Sequence, residues 1–471
     1  MSSLAPPIEL RTSTPSRPVP NKIVSDDIGY LRWNHVREAV NACRCMTAEG
    51  KVVKVTGLIA EGRGPAMGVG STCGIRNGEG EEVLAEVVGF RDRRMMLMPY
   101  GEMRSISPGC KIASVDERPH VPVGEHYLGR VVNGLGEPID GQGPITSNVH
   151  YPLHGKVVNP MQRRSIREVA DVGIGAVNTL MTIGKGQRVA ILSGSGVGKS
   201  VLIGMMSRHT SADVSIVALI GERGREVRDF VEQNLGQEGL RNSVVVAATS
   251  DVSPLIRMRG AYLATTLAEY FRDRGMDVLL FMDSITRFAM SSRDVGLAAG
   301  EPPTVRGYTP SFFAQLPKFV ERAGSVEGKG TITGIYTVLV EGDDMNDPVA
   351  DAVRSVVDGH IVLSRRLANR GHYPAIDVLA SVSRVMGSIV APDHRRLSQK
   401  VREIMAAYYD AEDLISIGAY VDGSDPRIDY AKKMIDGINT FLRQDVAEKV
   451  SFEAGMAALS ELLEETNHET I

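Results

Sequence analysis

This sequence of 471 residues has no long apolar run, only four cysteines and no excess of basic over acidic residues. The longest apolar runs, at residues 215–220 and 278–282, are far too short for the ~20 apolar residues that cross a membrane. The four cysteines lie in the first quarter of the chain, and no histidine stands at metal-finger spacing with them. We expect them to be small buried side chains in a reducing cytoplasm. The net charge of −4 argues against nucleic acid as the main partner.

What is present is an ordinary soluble composition, 43% hydrophobic and 23% charged, in a chain long enough for about three domains. Residues 1–20 contain five prolines with serine and threonine, which predicts a disordered tail rather than a targeting helix. Residues 27–45 have a loosely helical apolar spacing, which fits packing on their own domain or on a partner helix.

Changes in pattern divide the rest of the chain. Short β-rich runs broken by glycine and proline predict a small antiparallel barrel after residue 50. Apolar strands then alternate with helical segments, which predicts an α/β fold with a mostly parallel sheet. The strand candidates are residues 188–193, 214–220, 244–248, 278–283, 334–340 and 360–363, and the helical ones are residues 225–235, 256–274 and 347–358. Apolar stripes after residue 392 predict a helical bundle. The predicted domains are residues 1–24 (tail), 25–118 (helix and β-barrel), 119–388 (nucleotide domain) and 389–471 (helical domain).

The most informative segment is residues 187–200, QRVAILSGSGVGKS. An apolar strand, a glycine-rich turn, and Lys199 and Ser200 at the start of a helix are the layout of a phosphate-binding loop. Main-chain N–H groups wrap the phosphates, the lysine supplies positive charge and the serine hydroxyl ligates Mg²⁺. We therefore expect a bound nucleoside triphosphate, although Ser193 stands where the pattern has glycine. The expected nucleotide-binding residues are Gly194, Ser195, Gly196, Val197, Gly198, Lys199, Ser200 and Val201.

Acidic residues end two of the predicted strands. Asp283 closes residues 278–283 and is expected to reach Mg²⁺. Glu222 follows residues 214–220 at the edge where ligands gather, and a carboxylate there can activate water. The residues alone still favour an ordinary solvated loop acid at Glu222. Arg223 beside it could contact the γ-phosphate, or pair with Glu222 or Glu226.

Several blocks resemble a known family. They are GERGREV (221–227), DSITRF (283–288), GEPPT (300–304), EGDDMNDPVAD (341–351), YPAIDVLASVSR (373–384) and VGEHYLGRVVNGLGEPID (123–140). Together they look like the rotary ATPase superfamily of the ATP synthase alpha and beta subunits. The similar branch is the type III protein-export ATPase, the flagellar form in particular. The resemblance runs from about residue 50 to about residue 445. It departs at Ser193 and at residues 154–159, where the family more often carries prolines.

The resemblance implies a RecA-like nucleotide domain and a Mg²⁺-dependent ATPase. Lys199 and Ser200 match the phosphate lysine and the metal hydroxyl, and Asp283 matches the metal-linked aspartate. Glu222 matches the catalytic glutamate, which reverses the reading from the residues alone. Arg223 joins it as a candidate catalytic residue.

Two further residues receive roles from the resemblance. Tyr373, otherwise an ordinary half-buried tyrosine, matches the aromatic residue that stacks on adenine. Arg384 matches the arginine finger that reaches the neighbouring subunit's γ-phosphate, a task that suits a guanidinium. Since Glu222 and Arg384 occupy one polypeptide, identical copies could supply every catalytic interface, and we predict a homohexamer.

The resemblance also implies partners and a location. These are a stator-like regulatory protein at residues 27–45, a central-stalk-like protein, an export gate, chaperones and secreted substrates, with no nucleic acid. The expected location is the cytoplasm, with peripheral association at the inner face of the cytoplasmic membrane. Residues 193–206 and 249–259 favour the flagellar branch, and the injectisome branch stays open.

Two further classes of protein are less favoured. A non-catalytic nucleotide-binding ring subunit would not need Glu222. A hexameric RNA helicase would need a basic, aromatic-rich site for single strands in the barrel region, which contains many acidic residues instead.

Overall fold

The structure, a computed structural model, describes residues 48–468 apart from residues 341, 343, 345 and 346. The predicted tail and the predicted helix at residues 27–45 lie outside these residues. Within the described part of the chain, no helix combines the length and the apolar character needed to cross a membrane.

Six strands near the start of the described chain form a closed antiparallel barrel in the order β1-β2-β5-β4-β3-β6. They are β1 (Glu49–Thr56), β2 (Ile59–Arg63), β3 (Thr72–Arg76), β4 (Glu82–Arg91), β5 (Arg94–Pro99) and β6 (Lys111–Asp116). Alternate residues such as Ile75, Leu97 and Ile112 fill the interior. Cys73 and Cys110 are buried there as free thiols, as expected. The predicted small barrel is confirmed.

The central sheet carries the predicted α/β pattern, in the order β17-β16-β10-β15-β13-β11-β12-β8. Its strands are β8 (Val131–Asn133), β10 (Arg188–Ser193), β11 (Val214–Ile220), β12 (Ser243–Ala248), β13 (Asp277–Asp283), β15 (Thr331–Leu339), β16 (Gly359–Leu363) and β17 (Ile376–Ser383). The short β14 (Gly324–Ser325) pairs with β15, and β7 (His120–Pro122) pairs with β9 (His150–Pro152). Every residue of β11 and β12 is buried, because separate apolar clusters cover the two faces of the sheet.

Helices cover both faces of this sheet. They are α1 (Gly175–Leu180), α2 (Lys199–His209), α3 (Gly224–Asp229), α4 (Gly236–Arg241), α5 (Pro254–Asp273), α6 (Ile285–Ala298), α7 (Pro310–Val320), α8 (Pro348–Val356) and α9 (Arg365–Asn369). The six predicted strands are all present, with ends that differ by three residues or fewer.

Several elements differ from the prediction, among them the short edge strand β8, which was not a candidate. The helix expected at residues 225–235 is α3 followed by a π-helical segment, Phe230–Leu235. Strand β17 was not among the candidates; it is an antiparallel edge strand with alternating and exposed residues rather than a continuous apolar run. An edge strand buries less of its surface, so its pattern is weaker.

The chain ends in helices α10 (Met386–Ile389), α11 (Pro392–Ser416), α12 (Pro426–Leu442) and α13 (Phe452–His468). Their predicted apolar stripes face one another and join the core of the central sheet. Polar contacts fix this packing: His394 Nε2 lies 2.6 Å from the carbonyl oxygen of Thr179 on α1. Arg402 donates to the carbonyls of Leu180 and Val378. These contacts hold α11 of the helical domain against the nucleotide domain.

Candidate functional site

The loop between β10 and α2 has the backbone that a phosphate cradle requires. Gly196 and Gly198 have φ angles of 78° and 91°, a left-handed region in which glycine carries no steric cost. Ser195, Gly196 and Ser200 are exposed, whereas Val197 is buried beneath the turn. Ser193 ends β10 with its side chain buried, so its departure from glycine is accommodated. The predicted loop residues therefore present their main chain to a cavity of about 340 Å³.

Lys199 lies in a cluster of charges at the carboxyl edge of the sheet. Its Nζ atom is 2.5 Å from Oδ1 of Asp283 and 3.5 Å from Oε1 of Glu222. Thr337 on β15 donates a 2.7 Å hydrogen bond to the same Asp283 oxygen. Burial alone would lower the pKa of Lys199, but the two carboxylates together raise it above its ordinary value. The lysine is therefore charged and ready to meet an anion.

Glu222 follows β11, which lies next to the strand of Asp283. The Ser250 N–H donates to the carbonyl of Glu222 at 3.0 Å and fixes the turn. Burial, assisted by the neighbouring Glu226, raises the pKa of Glu222 to about 7, although Lys199 opposes the shift. A carboxyl group with a pKa near neutrality is suited to accept a proton from water.

Arg223 is exposed, with 81% of its side chain accessible. Its Nη1 atom lies 3.4 Å from Oε1 of Glu226. The sequence left open whether Arg223 pairs with Glu222 or with Glu226, and in the structure it pairs with Glu226. It still borders the cavity around Lys199 and can turn toward a ligand there.

Tyr373 lines a second cavity, of about 470 Å³, on the other side of the loop. Its ring is half-exposed and approaches Gly198, where an added Cβ would lie 3.5 Å from the ring. The remaining walls are mostly apolar and come from Val201, Leu202, Met205, Leu363, Gln444, Asp445 and Val446. An apolar slot that adjoins a phosphate cradle suits a planar base.

Arg384 lies apart from these groups. It follows β17 and is exposed, and its guanidinium donates to the carbonyls of Val357 and Arg354 at 3.2 and 3.3 Å. It does not line the cavity around Lys199 within its own chain.

Arg287 and Ser250 line the same cavity and were missed by the sequence reasoning. Arg287 is on α6, four residues after Asp283, and among the described residues its buried Nε has no hydrogen-bond partner. A Cβ added at Gly221 would lie 2.9 Å from its side chain, so the turn that carries Glu222 packs directly on this arginine. Its position one helical turn after the strand-ending acid is a signal that could have identified it.

The residues fit a nucleotide-bound Mg²⁺. Ser200 lines the cavity with an exposed hydroxyl, and Glu222 and Glu226 line it with carboxylates. The buried Asp283 carboxylate lies 2.5 Å from the Nζ atom of Lys199, which also lines the cavity. Among the described residues, no group of three or more His, Cys, Asp or Glu could hold a metal alone. Mg²⁺ in nucleotide sites is typically bound by one or two protein oxygens together with substrate phosphates.

Comparison with known proteins agrees with this geometry. Residues 49–115 match the beta-barrel domain and residues 173–383 the nucleotide-binding domain of the ATP synthase alpha/beta family. Residues 390–461 match the T3SS EscN ATPase C-terminal domain.

Two curated relatives cover nearly the whole chain. The flagellum-specific ATP synthase of Pseudomonas aeruginosa is 48% identical over 430 residues, 90% of this chain and 95% of that protein. The type 3 secretion system ATPase of Xanthomonas euvesicatoria is 47% identical over 417 residues, 88% of this chain and 94% of that protein.

Solved structures agree as well. The assembled ATPase EscN of the enteropathogenic E. coli type III secretion system matches with a TM-score of 0.84 and 41% identity. EscN in complex with its central stalk EscO matches with a TM-score of 0.81 and 40% identity. Each match covers 88% of this chain and 100% of the other. The chain therefore belongs to the ATP synthase alpha/beta family, and within it to the group of flagellum-specific ATP synthases and type III secretion system ATPases.

Proposed function

We propose that this protein hydrolyses ATP with Mg²⁺ and thereby energises type III protein export, in the flagellar system. The observation that carries the proposal is the contact of Lys199 with both Glu222 and Asp283, beside a cavity at the phosphate loop that Lys199 and Glu222 line. A subunit that only held nucleotide would not need Glu222, whose raised pKa suits a proton acceptor. The assignment of Gly194, Ser195, Gly196, Val197, Gly198, Ser200 and Val201 to the nucleotide is part of the proposal.

Each residue has a distinct task in this mechanism. Lys199 would leave Asp283 and bond the β- and γ-phosphates, and Ser200 and Asp283 are the residues that would hold Mg²⁺. When bound, Mg²⁺ neutralises charge on the transferred phosphoryl group. Glu222 orients the attacking water and accepts its proton. Arg223 and Arg287 line the same cavity and would add positive charge beside the leaving phosphate, and Tyr373 would stack on the adenine.

We also propose that Arg384 acts on a neighbouring copy. The residue is exposed and remote from its own phosphate loop, which is the position that a finger for another subunit requires. A homohexamer would then share every catalytic site between neighbours. The similarity to the assembled ATPase EscN supports self-association, and the EscN–EscO complex supports a central-stalk-like partner.

The other partners follow from family membership. They are a stator-like regulator at residues 27–45, the export gate, chaperones and secreted substrates, with no nucleic acid. We propose a cytoplasmic protein that associates peripherally with the inner face of the cytoplasmic membrane. The injectisome form is the second candidate, because the relatives from the two systems are 48% and 47% identical to this chain.

The enzymatic proposal is tested by phosphate release from ATP with the purified wild type and Glu222→Gln. The wild type should turn over ATP, and Glu222→Gln should bind nucleotide without turnover. Wild-type turnover by Glu222→Gln would remove Glu222 from the mechanism. The flagellar assignment is tested by restoring swimming to a Pseudomonas aeruginosa strain that lacks its own flagellum-specific ATP synthase. Rescue of injectisome secretion but not of swimming would favour the second candidate.

A further inference from the structure

Arg208, in the last turn of α2, joins three segments of the nucleotide site. Its Nη1 atom lies 2.5 Å from the carbonyl oxygen of Asn234 and 3.4 Å from that of Gln233, both in the π-helical segment. Its Nη2 atom lies 2.7 Å from the carbonyl oxygen of Val446. The hydrogen-bond partners found for this guanidinium among the described residues are thus main-chain carbonyls. A planar fork of five N–H donors can satisfy carbonyls on two sides, which a single ammonium cannot.

The carbonyl of Val446 belongs to a wall of the cavity that Tyr373 lines. Gln444, Asp445 and Val446 form this wall, which enters from the helical domain. Gln444 anchors one end: its main-chain N–H donates to the Tyr373 carbonyl at 3.0 Å, and its side-chain Oε1 accepts from the Gly175 N–H at 2.9 Å. Asp445 and Val446 are exposed, so the bond from Arg208 fixes the other end.

The second contact of Arg208 is rigid as well. Helix α2 packs against the π-helical segment so closely that a Cβ added at Gly204 would lie 2.8 Å from the Asn234 carbonyl oxygen. The two elements therefore cannot approach further, and Arg208 joins them on the side of the cavity wall. The Arg208 side chain therefore joins three elements: helix α2, the π-helical segment and the cavity wall.

We propose that Arg208 is a positioning residue for the base of the nucleotide. It holds the wall formed by Gln444, Asp445 and Val446 at a fixed place relative to α2, so that base binding and phosphate binding use one rigid frame. The proposal rests on the proposed function, because it takes the Tyr373 cavity to be the base site. It requires that loss of Arg208 weakens binding through the base and leaves binding through the phosphates intact.

The test compares a ligand that has a base with one that lacks it. The affinities of ATP and of inorganic tripolyphosphate are measured by displacement of a fluorescent ATP analogue from the full chain. We expect Arg208→Ala to weaken ATP binding about tenfold, roughly the effect of one charge-assisted hydrogen bond, and to weaken tripolyphosphate binding less than about twofold. Arg208→Lys should fall between Arg208→Ala and the wild type. Arg228→Ala is the matched control, since that arginine pairs with the exposed Glu232 and should leave both affinities unchanged.

The outcomes separate this role from the base assignment itself. Equal weakening of both ligands, or of neither, by Arg208→Ala overturns the role of Arg208. Tyr373→Ala tests the base cavity: unchanged ATP affinity there overturns the base assignment in the proposed function. If Arg208→Ala does not fold, Arg208→Lys and hydrogen exchange at Asp445 and Val446 decide. Faster exchange with selective loss of ATP affinity supports the role, and unchanged exchange with unchanged affinity overturns it.

Discussion

Glu222 and Glu226 titrate as a pair, and this pairing sets a pH dependence. The raised pKa of Glu222, about 7, means that the free protein holds a proton there below this pH. The pKa of Glu226 is lowered by its hydrogen bond with Glu222, so the proton resides on Glu222. Because the ionised form activates water, kcat/KM should rise with pH through about 7. Glu226→Gln removes a like charge, lowers the pKa of Glu222 and moves this limb to lower pH in a pH–rate profile.

The control is Glu232→Gln, which removes a carboxylate that pairs with Arg228 further along the same helical segment. Its pH–rate profile should match that of the wild type. If the rise of kcat/KM with pH occurs at the same pH in Glu226→Gln as in the wild type, the group that titrates near neutrality is not Glu222.

Arg287 supplies a second prediction, because its unpaired Nε atom is buried beside the cavity. Arg287→Ala should lower kcat on the order of a hundredfold, the usual effect of removing one donor to developing charge, while nucleotide affinity changes little. Steady-state kinetics and equilibrium binding measure the two effects. Arg293→Ala, on the same helix but paired with Asp294, is the control. Wild-type kcat in Arg287→Ala would exclude the residue from the site.

Individual residues were predictable where chemistry and spacing coincide. The loop residues and Asp283 follow from a glycine-rich turn and from a strand that ends in an acid. Glu222 needed the family resemblance, since a lone acid after a strand is usually solvated. Val446 could not be predicted, because it reaches the cavity from another domain through contacts that local sequence does not encode.

Among the larger elements, the barrel and α5 meet at a buried polar contact. The Tyr100 hydroxyl donates to Oε2 of Glu86 at 2.9 Å and accepts from Nη1 of Arg259 at 3.3 Å. The Arg259 guanidinium also stands 5.4 Å from the centre of the Tyr100 ring. Tyr100→Phe removes a hydrogen bond from both Glu86 and Arg259. It should lower the free energy of unfolding by about 1–3 kcal/mol, as measured by urea denaturation.

Tyr336→Phe is the matched control for this change. Tyr336 is also buried, but its hydroxyl has no hydrogen-bond partner in the part of the chain that the structure describes, so its loss should be neutral or stabilising. Equal destabilisation by the two substitutions would mean that the Tyr100 hydroxyl contributes nothing specific to the domain contact.

The elements themselves followed from hydrophobic pattern wherever burial is complete. β11 and β13 read as continuous apolar runs because helices cover both of their faces. The π-helical segment Phe230–Leu235 was predicted only as helix, since its apolar spacing resembles that of an α-helix. The segment packs tightly against α2, where a Cβ added at Gly204 would lie 2.8 Å from the Asn234 carbonyl oxygen, and apolar spacing alone does not encode this contact.

For the whole molecule, shared sites predict complementation between inactive variants. Lys199→Ala should lose nucleotide binding and turnover, and Arg384→Ala should bind ATP but hydrolyse it poorly. A mixed ring contains interfaces at which an intact Lys199 meets an intact Arg384. An equal mixture should recover about a quarter of the wild-type rate, if sites act independently in a head-to-tail ring. Phosphate release after the variants are mixed and reassembled measures this fraction.

Two observations would count against shared sites. One is a mixture no more active than its components. The other is a wild-type rate per subunit that does not fall when the protein is diluted below its assembly concentration, as judged by electron microscopy. The prediction of assembly rests on Arg384, a residue that does not line the cavity at its own phosphate loop. The pattern of a single chain carries no further sign of its neighbours.

The contact between Lys199 and Asp283 has a consequence for ligand choice. An incoming phosphate or sulfate ion has to draw the lysine away and would strand a carboxylate that is only 2% exposed, an outcome that costs several kcal/mol. A triphosphate that arrives with its own divalent counter-ion gives Lys199 a new anion and Asp283 a new cation at the same time. The abundant inorganic anions of the cell should therefore be poor competitors, and chelation of the counter-ion should make ATP itself resemble them.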